Sequence, residues 1–273
     1  MFAKLLKREW KASFKLLSIM SLAALGVSIL EAVILRMLLT GNDSLFVSRT
    51  SGMMVSVLLF LTLAIVAYAI GVQIFLIVRF YTNKFSNEGY LTFTLPVSCE
   101  HIFLSAAVNM AIWTVISGVV TALCLAIVIG GSTTGLVDGY MWRYLWNGII
   151  DVFEHNAQTI GIAYWPLLIL NAIAGLFSGP VLVMTAFTLG AVIAKRRKVL
   201  VSLCMIYLIC MAVSIVSAIF VNMVDAAMIG AAGDAQTLME QISYYIEVFL
   251  QIATIIGGYI LSVWLMKNKL NLT

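Results

Sequence analysis

Charged side chains are scarce in this sequence. Asp, Glu, Lys and Arg make up 10% of its 273 residues, whereas 63% are hydrophobic and the mean hydropathy is +1.08. Soluble domains carry about 25% charged residues, so this composition excludes a soluble fold. The polar gaps between the apolar runs are mostly short, which leaves no place for a separate soluble domain. We therefore expect residues 1–273 to form a single transmembrane domain.

Residues that carry catalysis or bind metals are few and scattered. The chain has four cysteines and two histidines, which are Cys99, Cys124, Cys204, Cys210, His101 and His155. Three of the cysteines fall in apolar runs and no metal-site spacing is present, so we expect neither a disulfide nor a metal. The sequence also lacks a G-x-x-x-x-G-K-[ST] loop, a G-x-S-x-G elbow and an H-E-x-x-H pair. We therefore expect that the chain is not an enzyme and binds no nucleotide itself.

Long apolar runs dominate what is present. A helix needs about 20 residues to cross a hydrocarbon layer of roughly 30 Å, and six runs reach this length: Leu16–Leu39, Met53–Arg79, Ile102–Ile129, Tyr164–Ala194, Val199–Val224 and Tyr245–Met266. A signal peptide is the alternative for the first run, but that run is too long and contains Glu31. The predicted fold is an all-α polytopic membrane protein with six transmembrane helices.

Basic residues predict the orientation, because Lys and Arg beside membrane helices stay on the cytoplasmic side. One side of the predicted topology holds Lys4, Lys7, Arg8, Lys11, Lys15, Arg79, Lys84, Lys195, Arg196, Arg197, Lys198, Lys267 and Lys269. The other side holds only Arg49 and Arg143, with Arg36 near the end of the first span. Both termini are therefore expected in the cytoplasm. This bias and attraction to anionic lipid explain the net charge of +4 without a nucleic-acid partner.

The N-terminal segment, residues 1–15, is predicted to lie along the membrane surface. Its apolar side chains share one helical face and its basic residues share another; the apolar ones are Phe2, Leu5, Leu6, Trp10 and Phe14. This pattern is typical of an interfacial helix, here a cytoplasmic elbow in which Trp10 anchors the helix among lipid headgroups. The alternative, a basic flank without helical structure, explains the charges but not the apolar spacing.

A second amphipathic stretch lies in the outer loop, residues 130–163. At helical spacing, Trp142, Trp146, Ile149 and Phe153 oppose Arg143, Asn147, Asp151 and Glu154. Tryptophan is enriched at the depth of the lipid headgroups. We expect a second interfacial helix here, with Trp142 and Trp146 as membrane anchors.

Polar residues follow one face of two predicted spans. In the sixth span the face comprises Glu247, Gln251, Thr254, Ser262 and the small residue Gly258, and in the fourth it comprises Asn171, Ser178 and Thr185. Such a face avoids lipid, and it forms either a helix-packing seam or a wall of a substrate path. Glu31 in the first span and Glu247 are also candidate site residues, because an ionisable group within a span is costly and by default indicates function.

One cytoplasmic gap, residues 80–101, contains the patterned stretch EGYLTFTLPVS. Leu91, Phe93 and Leu95 alternate with Thr92 and Thr94, a period typical of a half-buried strand. A lone strand between membrane helices has no sheet to join. An exposed apolar stretch of this kind indicates a docking surface for another protein. The alternative is a connecting turn, set by its glycine and proline, whose apolar residues dip into the interface.

The chain resembles the permease subunits of bacterial ATP-binding cassette exporters of the second export type. The resemblance rests on three stretches: FYTNKFSNEGYLTFTLPVS, the start MFAKLLKREWKASFKLL and the C-terminal LMKNKLNL. It covers the whole chain, and the block EGYLTFTLP is its most specific part. It implies a multi-pass protein of the bacterial plasma membrane.

The resemblance implies that the cytoplasmic gap couples the permease to a separate ATPase subunit. In such permeases this connection inserts into a groove of the ATPase; here it would comprise Glu88, Gly89, Tyr90, Leu91, Thr92, Phe93, Thr94, Leu95 and Pro96, helical at its core. Two permease chains, identical or paralogous, would pack together with two ATPase subunits, which bind the ATP and Mg²⁺. Closure of the ATPases would drive alternating access. A hydrophobic or amphipathic substrate, such as an antimicrobial peptide or a drug, fits the few charges of the predicted path.

Two other functional classes stay open on the sequence. A secondary transporter or channel is disfavoured, because the few ionisable residues lie towards the ends of the spans and no internal repeat is visible. A membrane scaffold without transport would bind no ATPase, and a change at Phe93 would leave it unaffected.

Overall fold

The computed structural model describes residues 2–40, 45–85, 98–133, 143, 146–148, 150–151, 153–154, 157, 164–194, 198–228 and 235–268. In these residues the chain forms six long helices: α1 Phe2–Thr40, α2 Leu45–Phe85, α3 Cys99–Thr133, α4 Tyr164–Ile193, α5 Lys198–Met228 and α6 Ala235–Asn268. No β-strand occurs in this described part of the chain. The predicted all-α class is confirmed.

Each long helix contains a stretch that is long and apolar enough to cross a membrane. These stretches are Phe2–Leu38, Gly52–Lys84, Cys99–Gly131, Trp165–Ile193, Val199–Phe220 and Ile242–Asn268. The six predicted spans overlap them one for one, so the chain is a multi-pass membrane protein. The helices are mostly longer than the predicted spans, because backbone hydrogen bonding continues into polar flanks that hydropathy does not register. For example, α2 has 41 residues.

The N-terminal segment differs from the prediction in one respect. Residues 2–15 are helical, but they continue without a break into the first span as one helix of 39 residues. The separate elbow is therefore not confirmed. No glycine or proline precedes Gly26, and the segment is rich in the strong helix formers Leu, Lys and Ala. The same helical face is buried on both sides of the expected break, at Ser13, Leu17 and Ala24.

The outer segment between α3 and α4 is helical at each described position, namely 143, 146–148, 150–151, 153–154 and 157. Trp146 is 64% exposed and Phe153 is 41% exposed. Both side chains are exposed, and the interfacial position of this helix stays a prediction. Trp142 and Ile149 lie outside the described residues.

The helices pack in two compact units. The first unit comprises Lys4–Val78 and Ile112–Trp146, and the second comprises Met1–Ala3, Arg79–Ala111 and Asn147–Thr273. The sequence predicts one domain over residues 1–273. The two units do not follow one another along the chain as separate domains, because α2 and α3 each begin in one unit and end in the other.

In the first unit, α1 runs antiparallel to α2. Ser21 Oγ lies 2.9 Å from the hydroxyl oxygen of Tyr68. Further along α1, Glu31 meets Thr62, which lies earlier in α2. Residue numbers therefore rise along one helix as they fall along the other.

α1 runs parallel to α3 in the same unit. Trp10 stacks on Trp113 with ring centroids 4.9 Å apart. Towards the other end of both helices, Ala32 packs so closely on Gly131 that a Cβ added to the glycine would lie 2.8 Å from the alanine Cβ. The absence of a side chain at Gly131 thus sets how closely these two helices approach.

In the second unit, α4 runs parallel to α6, with an ordinary contact at Gly175 and a close approach at Gly258. A Cβ added to Gly175 would lie 3.7 Å from Gln251 Oε1, and one added to Gly258 would lie 2.8 Å from Thr185 Oγ1. Small residues at such positions let helix backbones approach in a membrane. α5 is the least covered of the six, with only 6% of its apolar window buried, so lipid or another chain must cover it.

Candidate functional site

The predicted coupling segment, Glu88–Pro96, lies outside the described residues, but the helix ends on both sides of it are described. On the α2 side, the ring of Tyr81 packs on Phe187 of α4 with centroids 5.7 Å apart. On the α3 side, Phe103 meets Tyr259 of α6 edge to face, with centroids 5.8 Å apart. Both flanks of the segment are therefore attached to the helices of the second unit.

An exposed ion pair strengthens the attachment on the α3 side. Lys267 Nζ in the last turn of α6 lies 2.8 Å from Glu100 Oε1 in the first turn of α3. Next to it, His101 Nδ1 lies 2.8 Å from Ser98 Oγ, and the His101 ring meets Phe2 at a centroid distance of 6.4 Å. The start of α3 is thus held by charge, hydrogen bonding and ring contact together.

Thr185, one of the predicted polar residues, lies in a buried group of hydroxyls between α4 and α6. Ser262 Oγ donates to Thr185 Oγ1 at 3.0 Å, and Thr185 Oγ1 lies 3.2 Å from the carbonyl oxygen of Gly258. Thr188 Oγ1 lies 3.4 Å from Ser262 Oγ. All three hydroxyl side chains are buried. These contacts join two helices through buried hydroxyls, as a helix-packing seam does.

The other predicted polar residues of α6 lie nearer its start and bond within the helix. Gln251 Nε2 donates to Glu247 Oε1 at 3.3 Å, and Thr254 Oγ1 donates to the carbonyl oxygen of Leu250 at 2.7 Å. Glu247 is exposed. Gln251 Oε1 is buried and has no hydrogen-bond partner among the described residues.

Two predicted residues of α4 are only half-buried. Ser178 Oγ donates to the carbonyl oxygen of Gly175 in its own helix at 3.1 Å. Asn171 lies one turn before that glycine, on the same face. The structure therefore brings Thr185 into contact with α6 but leaves Asn171 and Ser178 at the margin.

Glu31 lies in the first unit and is not part of the α4–α6 seam. Its side chain is only 5% exposed. Its Oε1 is 2.7 Å from Thr62 Oγ1, whereas its Oε2 is buried without a partner in the described part of the chain. A buried carboxyl group within a membrane span is costly and by default indicates function.

The predicted tryptophan anchors occupy different surroundings. Trp10 is half-buried against Trp113 and also contacts Phe14, with ring centroids 6.2 Å apart. Its indole is therefore held largely by aromatic packing within the chain. Trp146 is free to meet lipid, and Trp142 lies outside the described residues.

An apolar groove lies between α5 and α6. It has a volume of about 310 Å³ and is lined by Phe220, Ile242, Tyr245, Ile246, Phe249 and Leu250. In the described part of the chain, no three His, Cys, Asp or Glu side chains come close enough together to hold a metal ion. The chemistry available here is that of apolar contact.

In comparisons with protein-family models, with curated proteins and with solved structures, nothing matches this chain. What the chain itself establishes is therefore a multi-pass, all-helical membrane protein.

Several important partners were not found by reasoning on the sequence. Thr62, Trp113, Thr188 and Ser202 are contacts of residues on other helices, and helical periodicity gives a face but not the helix it meets. Thr62 could have been noticed in the sequence, because it is a hydroxyl residue in the otherwise apolar run LLFLTLAIV.

Proposed function

We propose that this chain is the permease subunit of an ATP-binding cassette exporter. It moves a hydrophobic or amphipathic substrate out of a bacterial cell, and a separate ATPase subunit hydrolyses the ATP. Two permease chains, identical or paralogous, and two ATPase subunits make up the complex. The proposal is supported by the six helices of membrane-spanning length and by the resemblance of EGYLTFTLP and of both chain ends to such permeases.

The observation that carries the proposal is the anchoring of the two helix ends beside the coupling segment. Tyr81 packs on α4, and Glu100 and Phe103 bind α6. When the ATPases close on ATP, a push on Glu88–Pro96 passes through these contacts to α4 and α6. Rigid helices with packed ends transmit such a displacement, because packed contacts do not deform continuously.

The apolar groove between α5 and α6 supports the substrate class. Ligand sites are mostly apolar with few polar groups, and this groove is formed by aromatic and aliphatic side chains. It suits an acyl chain or the apolar face of a peptide.

A secondary transporter is the second candidate, and one observation favours it. Glu31 is a buried carboxyl group within a span, and such groups form ion or proton relays in secondary transporters. A secondary transporter needs no ATPase partner, so the presence or absence of a bound ATPase distinguishes the two candidates.

The test is co-purification from native membranes in mild detergent, followed by mass-spectrometric identification of the proteins that accompany the chain. We expect an ATPase to co-purify with the wild-type chain and to be lost with Phe93→Asp. Docking of the Phe93→Asp variant would remove water from a carboxylate in an apolar surface, which costs free energy. Phe93→Leu, which keeps an apolar side chain, should retain the ATPase.

A matched control places the same charge on the opposite side of the membrane. Asn147→Asp adds one negative charge at an exposed outer position and should leave the ATPase bound. An ATPase retained by Phe93→Asp, or absent from wild type, contradicts the proposal.

A further inference from the structure

Glu31 makes an unusual hydrogen-bond arrangement in the first unit. Its only described partner is the hydroxyl of Thr62, at 2.7 Å from Oε1. The same Thr62 oxygen lies 2.8 Å from the carbonyl oxygen of Leu58. Both distances are those of a full O–H···O hydrogen bond.

A threonine hydroxyl has one proton to donate. If Glu31 were ionised, its Oε1 and the Leu58 carbonyl oxygen would both need that proton. One of the two short contacts would then join two acceptors with no hydrogen between them. Each of the two short contacts at Thr62 holds a proton of its own only if the second proton comes from Glu31.

Thr185 shows what sharing of one proton between two acceptors looks like in this protein. Its hydroxyl lies 2.7 Å from the carbonyl oxygen of Val181 and 3.2 Å from that of Gly258. The second distance is longer, as expected where both acceptors draw on a single proton. At Thr62 both distances are short.

We propose that Glu31 is a proton-binding site and is protonated in this packed state. The Glu31 O–H donates to Thr62 Oγ1, and the Thr62 O–H donates to the Leu58 carbonyl oxygen. The unpartnered Oε2 is then a neutral carbonyl oxygen. Burying a neutral acceptor without a partner costs much less free energy than burying an isolated carboxylate.

A proton fits this site better than a metal ion does. Hard cations take about six or more oxygen ligands, whereas Thr62 is the one hydrogen-bonding side chain that meets Glu31 in the described residues. A proton needs neither extra ligands nor extra space.

Other titratable groups on the three packed helices do not supply a counter-charge at Glu31. Within two turns of this level they are Arg36 on α1, Tyr68 on α2 and Cys124 on α3. Arg36 is exposed and lies about 140° around the helix from Glu31. The Tyr68 hydroxyl bonds to Ser21, and Cys124 is a buried free thiol.

The experiment treats the full-length protein in lipid nanodiscs with dicyclohexylcarbodiimide, a hydrophobic reagent that attacks protonated carboxyl groups. Digestion and mass spectrometry then locate the adduct. We expect an adduct on Glu31 and none on that residue with a water-soluble carbodiimide. Because the adduct is mapped on wild type, the result does not depend on whether a variant folds. No Glu31 adduct, or equal labelling by the water-soluble reagent, overturns the proposal.

Infrared spectroscopy supplies an independent readout. A protonated carboxyl gives a C=O stretching band that a carboxylate lacks. This band should vanish in Glu31→Gln. It should shift to higher frequency in Thr62→Val, because that substitution removes the hydrogen-bond acceptor. In Thr62→Ser, which keeps the hydroxyl, the band should lie at its wild-type position. Glu247→Gln is the control and should leave it unchanged. A spectrum in which Glu31→Gln removes no such band contradicts the assignment, and it does so whether or not an ATPase binds.

Discussion

Thr185 makes two of the hydrogen bonds that join α4 to α6, and Thr188 makes a third with Ser262. Thr185→Val keeps the shape and removes the hydroxyl that accepts from Ser262 and approaches Gly258. Hydrogen bonds between membrane helices are worth about 1 kcal/mol, so we expect the free energy of unfolding to fall by about this amount. The measurement is reversible unfolding of the purified protein in detergent.

Ser178→Ala is the matched control for that measurement, because the Ser178 hydroxyl bonds only to the carbonyl oxygen of Gly175 in its own helix among the described residues. It should leave stability nearly unchanged. Equal effects of the two substitutions would show that the α4–α6 hydroxyls do not hold the helices together.

The sequence predicted some of these residues and missed others for a definite reason. Thr185 and Glu31 stood out because a polar side chain in an apolar span is visible in the sequence itself. Ser262 also stood out on the polar face of the sixth span, but neither its contact with Thr185 nor the role of Thr62 was predicted, because which helix packs on which is decided by side-chain fit that a single sequence does not display. The protonation proposed for Glu31 depends on two distances at Thr62, which no sequence pattern contains.

Gly190 governs the approach of α4 to α5. A Cβ added to it would lie 2.7 Å from the Cα of Ser202 and 2.8 Å from its backbone nitrogen. Because these are backbone atoms, the two helices must separate to admit a methyl group. We expect Gly190→Ala to destabilise the protein by about 2 kcal/mol, the range for overpacking, measured as chemical unfolding.

Gly179 in the same helix is the control for Gly190. A Cβ added there meets no atom within 4 Å, so Gly179→Ala gains helix propensity without a clash. Its stability should equal or exceed that of wild type. A destabilised Gly179→Ala with an unaffected Gly190→Ala would contradict the described packing of α4 on α5.

The ion pair between α3 and α6 has a functional test. If Glu100 and Lys267 help to transmit movement from the coupling segment, reversing one charge should lower ATP-driven export, since like charges then face each other at the same contact. Glu100→Lys or Lys267→Glu alone should be impaired, and the double exchange should restore export. Transport into inverted vesicles is the measurement. Full activity of both single variants would exclude this pair from coupling.

Hydropathy predicted the existence of every long helix but not all of their ends. The α4 prediction, Tyr164–Ala194, ends one residue beyond the observed helix, because charged residues follow it directly. At α1 the apolar run begins at Leu16, yet the helix begins at Phe2. The change from basic to apolar residues indicates where the chain passes from water into the membrane. It does not end the helix, because the residues on both sides have good helix propensity.

Much of the apolar surface of the single chain is uncovered. The first span is 28% buried and the fifth only 6%. Contact with lipid costs such side chains no hydrophobic free energy, because lipid tails are equally apolar. The uncovered surface therefore accords with a membrane protein, and it also leaves room for the second permease chain that we propose. The charge bias of the ends, rather than the packing, predicts which side faces the cytoplasm.

The central claim is that Glu88–Pro96 faces the cytosol and docks on an ATPase. The direct measurement places a photoreactive amino acid at Phe93 in the native membrane and, as control, at Asn147, then identifies the crosslinked proteins. We expect an ATPase subunit crosslinked from Phe93 and none from Asn147. A Phe93 position that crosslinks no ATPase, or that an impermeant reagent reaches from outside intact cells after Phe93→Cys, would contradict the account.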